Sequence, residues 1–200
     1  MTPEAQTSSQ PLSLRLRQDT ARQHERMHVL MARAEPFANR KAYARFVGVQ
    51  YLFQRDLEPM QGEPAVQAAV PGLRARERAE AARADLQDLG EAEPEAPPPF
   101  ARPGMPQALG WLYVSEGSTL GAAFLLKEVQ QKLGLDATFG ARNLAAHPEG
   151  RAVAWKRFIT ALDAAQLSPA EQDAVVAGAR AAFARFELLL QRQFRGLLAA

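Results

Sequence analysis

Two hundred residues suffice for one domain with a substantial core, and 47% hydrophobic with 23% charged side chains are the proportions of a soluble globular protein. The formal net charge is only +2, with bases interleaved among acids, which argues against nucleic acid as a partner. With no cysteine, the chain has no disulfide framework, no thiolate-bound metal and no cysteine nucleophile.

Alanine, leucine, arginine, glutamate and glutamine dominate and β-branched residues are scarce, so the expected fold is all-α. Residues 1–11, MTPEAQTSSQP, have no apolar stretch of the secretory kind and are expected to be a disordered tail, with a cytoplasmic protein behind it. A first helix is expected over Leu12–Arg33, where Leu12, Leu16, Thr20, Met27, Leu30 and Met31 recur at helical spacing. Glu35-Pro36-Phe37-Ala38-Asn39 breaks it, and an aromatic-rich second helix follows from about Lys41 to Glu58. Pro64 and Pro71-Gly72 bracket a short helix, and a charged helix is expected from Arg74 to Leu89. Residues 90–104, GEAEPEAPPPFARPG, cannot be regular structure; they read as a connector and not a domain boundary, because the apolar helix after them needs partners to cover it.

That next helix, residues 108–127, opens near Pro106 and carries Gly110, Gly117 and Gly121. Its apolar run Leu109–Leu126 is about long enough to span a bilayer, but Glu116 near its middle would cost roughly 2.5–3.5 kcal/mol there, so no membrane span is expected. A short element around Ala137–Leu144 and a turn at His147-Pro148-Glu149-Gly150 lead to two last helices, about Arg151–Ala165 and Pro169–Leu198. Ser168-Pro169-Ala170-Glu171 has the form of a capping box with proline at the first helical position. The sum is a single compact helical domain over residues 12–200, with seven or eight helices and no convincing strand.

A glycine in a helix interior costs roughly 1 kcal/mol relative to alanine, so three in one helix ask for a reason. Gly117 and Gly121 share a face and leave a groove of bare backbone; the same spacing also permits close helix–helix packing, and the sequence alone leaves both open. Two of the three histidines, His24 and His28, stand one turn apart. His24-Glu25-Arg26-Met27-His28 has the form of a zinc-protease motif, but Arg26 is out of place there and no third ligand motif follows. What remains is either an ordinary half-exposed pair or a haem ligand at one of them. A groove floored by glycine and a helical histidine together suit a flat metal-bearing ligand, with haem the leading candidate.

The residues that carry a family resemblance are His24, Gln50-Tyr51-Leu52-Phe53-Gln54-Arg55-Asp56-Leu57, Leu109-Gly110-Trp111-Leu112-Tyr113-Val114-Ser115-Glu116-Gly117-Ser118 and Leu120-Gly121-Ala122-Ala123-Phe124. Phe139-Gly140-Ala141-Arg142-Asn143-Leu144 and Trp155-Lys156-Arg157-Phe158 extend it over most of the chain. In these the sequence resembles bacterial haem oxygenases. The resemblance implies an all-α fold with haem b, both substrate and cofactor, sandwiched between a proximal and a kinked distal helix. It implies oxidation of haem by dioxygen to biliverdin, carbon monoxide and ferrous iron. It makes His24 the proximal iron ligand and sets Gly117, Ser118 and Gly121 over the open iron position. His28 and His147 carry no role from it.

Around that frame, Gln50 is a candidate for a water network that delivers protons, weighed evenly against a plain helix amide. Arg17, two turns before His24, Tyr113, one turn before Gly117, and Lys127 near the helix end are candidates for the haem propionates. Arg17 with Tyr113 resembles family members that open the ring at the α position, which points to biliverdin IXα. No flavin or nicotinamide fingerprint is present, so electrons are expected from a separate ferredoxin, flavodoxin or reductase. Downstream, the product would serve iron release or a bilin-binding photoreceptor. A haem carrier or sensor without turnover is the alternative on the same fold, and a cofactor-free helical interaction module is the third reading.

Overall fold

The computed structural model describes residues 10–71, 73, 78–98 and 101–195. Eight α-helices form in these residues: α1 (Leu12–Asp19), α2 (Ala21–Ala34), α3 (Arg40–Gln61), α4 (Pro64–Ala69), α5 (Arg78–Asp88), α6 (Gln107–Leu133), α7 (Arg151–Ala164) and α8 (Pro169–Gln193). A 3-10 turn, Arg142–Leu144, lies between α6 and α7. No strand forms among the described residues; Asp136 makes only isolated bridges to Phe139 and Gly140 where a short element was expected. The all-α expectation holds.

The expected first helix is two. Thr20 leaves the helical conformation, with φ −112° and ψ 9°, and its hydroxyl donates to the Leu16 carbonyl at 2.7 Å. Both pieces are tied to α8, α1 through Arg15 to Asp173 and through Arg180 to the Asp19 carbonyl, and α1 is tied to α7 as well. Ser13 on α1 donates from backbone and hydroxyl to Asp163 on α7, both at 2.7 Å, and Arg26 on α2 pairs with Glu187 on α8 at 2.5 Å. Of the expected tail, residues 1–9 lie outside the described residues, and the Pro11 carbonyl accepts the first helical bonds of α1.

Other boundaries follow local chemistry. Asn39 caps α3, its side chain accepting from the Ala42 N–H at 2.9 Å. The Ser168–Glu171 capping box forms as expected at the start of α8. Gly134 ends α6 in the left-handed conformation, φ +66°, where a side chain would be strained. The expected start of α5 at Arg74 and the expected end of α8 at Leu198 fall outside the described residues. The connector carries no regular structure where it is described.

The core is one connected cluster. Tyr43, Phe46, Leu52 and Leu57 of α3 meet Leu109 and Leu112 of α6, Leu162 of α7 and Leu189 and Leu190 of α8. Among the described residues the α6–α8 pair is the most extensive packing, and α8 also packs on α1, α2 and α3. No helix among the described residues is long and apolar enough to cross a membrane.

Candidate haem site

The three glycines of α6 have different surroundings. A Cβ on Gly110 would lie 2.0 Å from the Val175 carbonyl oxygen and 2.4 Å from the Ala179 nitrogen, so this glycine exists to let α8 cross closely. A Cβ on Gly117 would make ordinary contact, 3.4 Å, with the Trp155 ring, and one on Gly121 would meet nothing within 4 Å. The close-packing reading therefore applies to Gly110, and the open-groove reading to Gly121.

Gly117, Leu120, Gly121 and Phe124 follow at i, i+3, i+4 and i+7 and form one stripe of α6. Leu120 is 38% exposed and Phe124 78% exposed, an apolar surface with bare backbone in its middle. The side chains lining the opposite face of the helix are of another kind. Glu116, Thr119 and Ala122 line a cavity of about 740 Å³ together with Arg78, Arg142 and Arg151. His147 lies on that far side, with its Nδ1 accepting from the Glu149 N–H at 3.2 Å.

Side chains bond to main-chain carbonyls along this part of α6, and the helix is unbroken from Gln107 to Leu133. The Ser118 hydroxyl donates to the Ser115 carbonyl at 2.7 Å and Thr119 to that of Glu116 at 2.6 Å. From outside, Arg78 donates to the Ser115 carbonyl and hydroxyl, both at 3.3 Å, and Arg151 to the Thr119 carbonyl at 2.9 Å.

Tyr113 heads the apolar stripe. It is half-buried, its ring centre 5.3 Å from that of Trp155, which stacks in turn on Phe158. Burial pushes the Tyr113 phenol up from its ordinary pKa; the nearby Arg17 charge opposes this and Asp163 adds to it. Arg17, exposed in the last turn of α1, is thus within electrostatic reach of Tyr113.

His24 lies one turn beyond Thr20 on α2, its ring exposed, with the edge of Phe183 from α8 at a centroid distance of 6.4 Å and His28 at 4.6 Å. Partial desolvation and then the neighbouring His28 lower its pKa, against Glu25, so the imidazole is neutral near pH 7. A neutral imidazole is the form that binds iron. Lys127 is exposed past the end of the stripe. Gln50 is half-buried on α3, one turn before the amide that reaches α6: the Gln54 side chain donates to the Ser115 hydroxyl at 3.5 Å.

A family model described as "Heme oxygenase" matches residues 73–192. Heme oxygenase PigA of Pseudomonas aeruginosa is 48% identical over 184 residues, 91% of this chain and 92% of that protein. This chain belongs to the haem oxygenase family. A heme oxygenase of Xanthomonas campestris pv. campestris is 34% identical over 62% of this chain and 73% of its own length. The Neisseria meningitidis heme oxygenase, solved with NO and CO bound, superposes with a TM-score of 0.89 at 34% identity over 96% of each chain. The Leptospira interrogans heme oxygenase, at 19% identity and a TM-score of 0.73 over 92% of this chain and 100% of that one, shares the fold. The protein is therefore an oxidoreductase acting on haem with dioxygen and a reductant.

The residues present suit haem. A flat macrocycle needs apolar contact and close backbone, which Leu120, Phe124 and Gly121 offer, and an iron ligand, which neutral His24 offers. Trp155 and Gln54 stand in the motifs that carry the family resemblance but had no role from the sequence, and Phe183 was not singled out. Phe124 carried a further readable signal: a large apolar residue one turn past Leu120 on the glycine face.

Proposed function

We propose that this haem oxygenase opens haem b to biliverdin, with IXα as the isomer, and releases carbon monoxide and ferrous iron. It acts in the cytoplasm as one unit over residues 12–200. The observation that carries the reading is the exposed apolar stripe of α6 with open space above Gly121. His24 would hold the iron. Gly117, Ser118 and Gly121 would face the ring from α6, three positions with a small side chain or none. The N. meningitidis relative, seen with NO and CO bound, supports a diatomic site of this kind.

Bound haem supplies both the iron that activates dioxygen and the ring that is oxidised. The chain binds, orients and delivers protons. Arg17 and Tyr113 hold one propionate, with Lys127 at the other end of the stripe. This seating would decide which meso carbon is oxidised. Gln50 would order water beside the ring. Electrons come from a separate ferredoxin, flavodoxin or reductase, drawn to exposed cations such as Arg17 and Lys127.

The deciding experiment is an absorption titration with hemin, followed by ascorbate in air. A Soret band that saturates at one haem per chain and then gives way to a red-absorbing bilin band supports the proposal. A Soret band that survives the reductant identifies a carrier or sensor, and no saturable band removes haem.

A further inference from the structure

His28 takes no part in the reading above, yet it sits beside the residue that carries it. The His24 and His28 ring centres are 4.6 Å apart, with planes at 69°. Two imidazoles on one ion have metal–nitrogen bonds of about 2.0–2.1 Å, with each ring centre roughly 1.1 Å further out. At bond angles between about 90° and 109° the ring centres then stand about 4.5–5.2 Å apart. The two rings are already at a chelating separation, and the angle between their planes is free because each ring turns about its own metal–nitrogen bond.

Both residues are exposed on α2, so an ion reaches them from solvent. Arg26, which lies between them in sequence, is held by Glu187, and Glu25 adds negative charge next to His24. Two histidines at i and i+4 on one helix form the first half of the helical zinc motif. Among the described residues no group of three potential ligands is assembled, so water fills the remaining positions and the ion exchanges readily.

We propose that the haem-free protein chelates a divalent transition metal ion, Ni²⁺, Cu²⁺ or Zn²⁺, between His24 and His28, and that this ion and haem exclude each other. The chelation stands on the two rings alone; the exclusion rests on His24 as the haem ligand. Imidazole nitrogens suit these borderline ions, and Cu²⁺ binds most tightly of the three. Occupation of the pair by a metal ion holds the haem ligand back until haem displaces it.

The test is calorimetric titration of the haem-free protein with NiCl₂, on the unaltered chain and on His24→Gln, His28→Gln and His147→Gln. One ion per chain is expected, with affinity falling roughly 10–100-fold in the first two variants as the chelate becomes a single ligand, and unchanged in the third. Cu²⁺ electron paramagnetic resonance gives a second reading: two coupled imidazole nitrogens in the unaltered chain, one in His28→Gln. Unchanged Ni²⁺ affinity or an unchanged nitrogen count in His28→Gln overturns the metal site. Saturating Ni²⁺ is expected to raise the apparent Kd for hemin in the unaltered chain and not in His28→Gln. Ni²⁺ bound through both histidines without effect on hemin leaves the chelate standing and overturns both the exclusion and His24 as the haem ligand.

Discussion

Gly110 on α6 and Gly178 on α8 meet backbone to backbone: a Cβ on Gly110 would lie 2.0 Å from the Val175 carbonyl oxygen, and one on Gly178 2.1 Å from that of Gln107. Neither obstacle is a side chain that could turn away. Gly110→Ala must therefore push apart the two most extensively packed helices. Its cost should reach the upper end of the roughly 1–3 kcal/mol seen for overpacked cores. At about 2–4 °C per kcal/mol for a chain of this size, Tm falls by about 6 °C or more in a calorimetric scan. A change within 1 °C would show that the crossing is looser than this.

Gly121→Ala should do the reverse. Nothing stands within 4 Å of the added methyl, and alanine in a helix interior gains up to about 1 kcal/mol over glycine. The haem-free protein is then expected to melt about 2–4 °C higher. Hemin affinity is expected to fall about tenfold, which corresponds to roughly 1.4 kcal/mol of repulsion from the new methyl on the cleft floor. A stabilised variant with unchanged hemin affinity would remove Gly121 from the site.

This contrast was not legible in the sequence. Gly110, Gly117 and Gly121 share one apolar stretch, and which of them is crossed depends on the face α8 covers. The start of α8 was legible, because Ser168 and Glu171 are three residues apart with proline between them and the capping box is local chemistry. The break at Thr20 was not: neither glycine nor proline marks it. It lies where α1, tied to Asp163 of α7 and Asp173 of α8, gives way to α2, tied to Glu187 of α8, and such long-range ties leave no local mark. Gln54, not Gln50, reaches α6, and a one-turn difference of that kind depends on the rotation of α3.

His24→Ala should abolish axial ligation. Outer partners of a metal ligand are alone worth 10–100-fold, so loss of the ligand itself should lower bilin formation by more than about 100-fold. Added imidazole, filling the space left by the ring, is expected to restore part of the Soret band and of the turnover. Full activity in the variant without added imidazole would move the ligand elsewhere.

Arg17 and Tyr113 act as a pair in the proposal, since the Arg17 charge is felt at the Tyr113 phenol. Arg17→Ala and Tyr113→Phe should each leave hemin binding within about tenfold, because a half-exposed contact contributes little more than about 1 kcal/mol. The expected effect is on the product: chromatography of the bilins should show the IXα share falling and other isomers appearing. An unaltered isomer ratio in the double variant would show that the seating of the ring is set by other residues.

The capping box gives the fold a defined acid sensitivity. The Ser168 hydroxyl and N–H donate to the Glu171 carboxylate at 2.7 and 2.8 Å and hold its pKa below the usual carboxylate range. Between the lowered folded value and the ordinary unfolded one, the unfolded chain binds more protons, so stability rises with pH in that window. The contribution is fully present above the unfolded value of 4.5 and is lost as pH falls through the folded value. Glu171 is solvent-exposed, so the effect is small and salt-screened. Glu171→Ala should therefore lower the Tm of the haem-free protein at pH 7, and the gap to the unaltered chain should narrow as pH falls below 4.5 and through the lowered folded value, where the native carboxylate itself takes up its proton. A gap that stayed constant over that range would assign the loss to helix propensity or packing, and not to the charge at the cap.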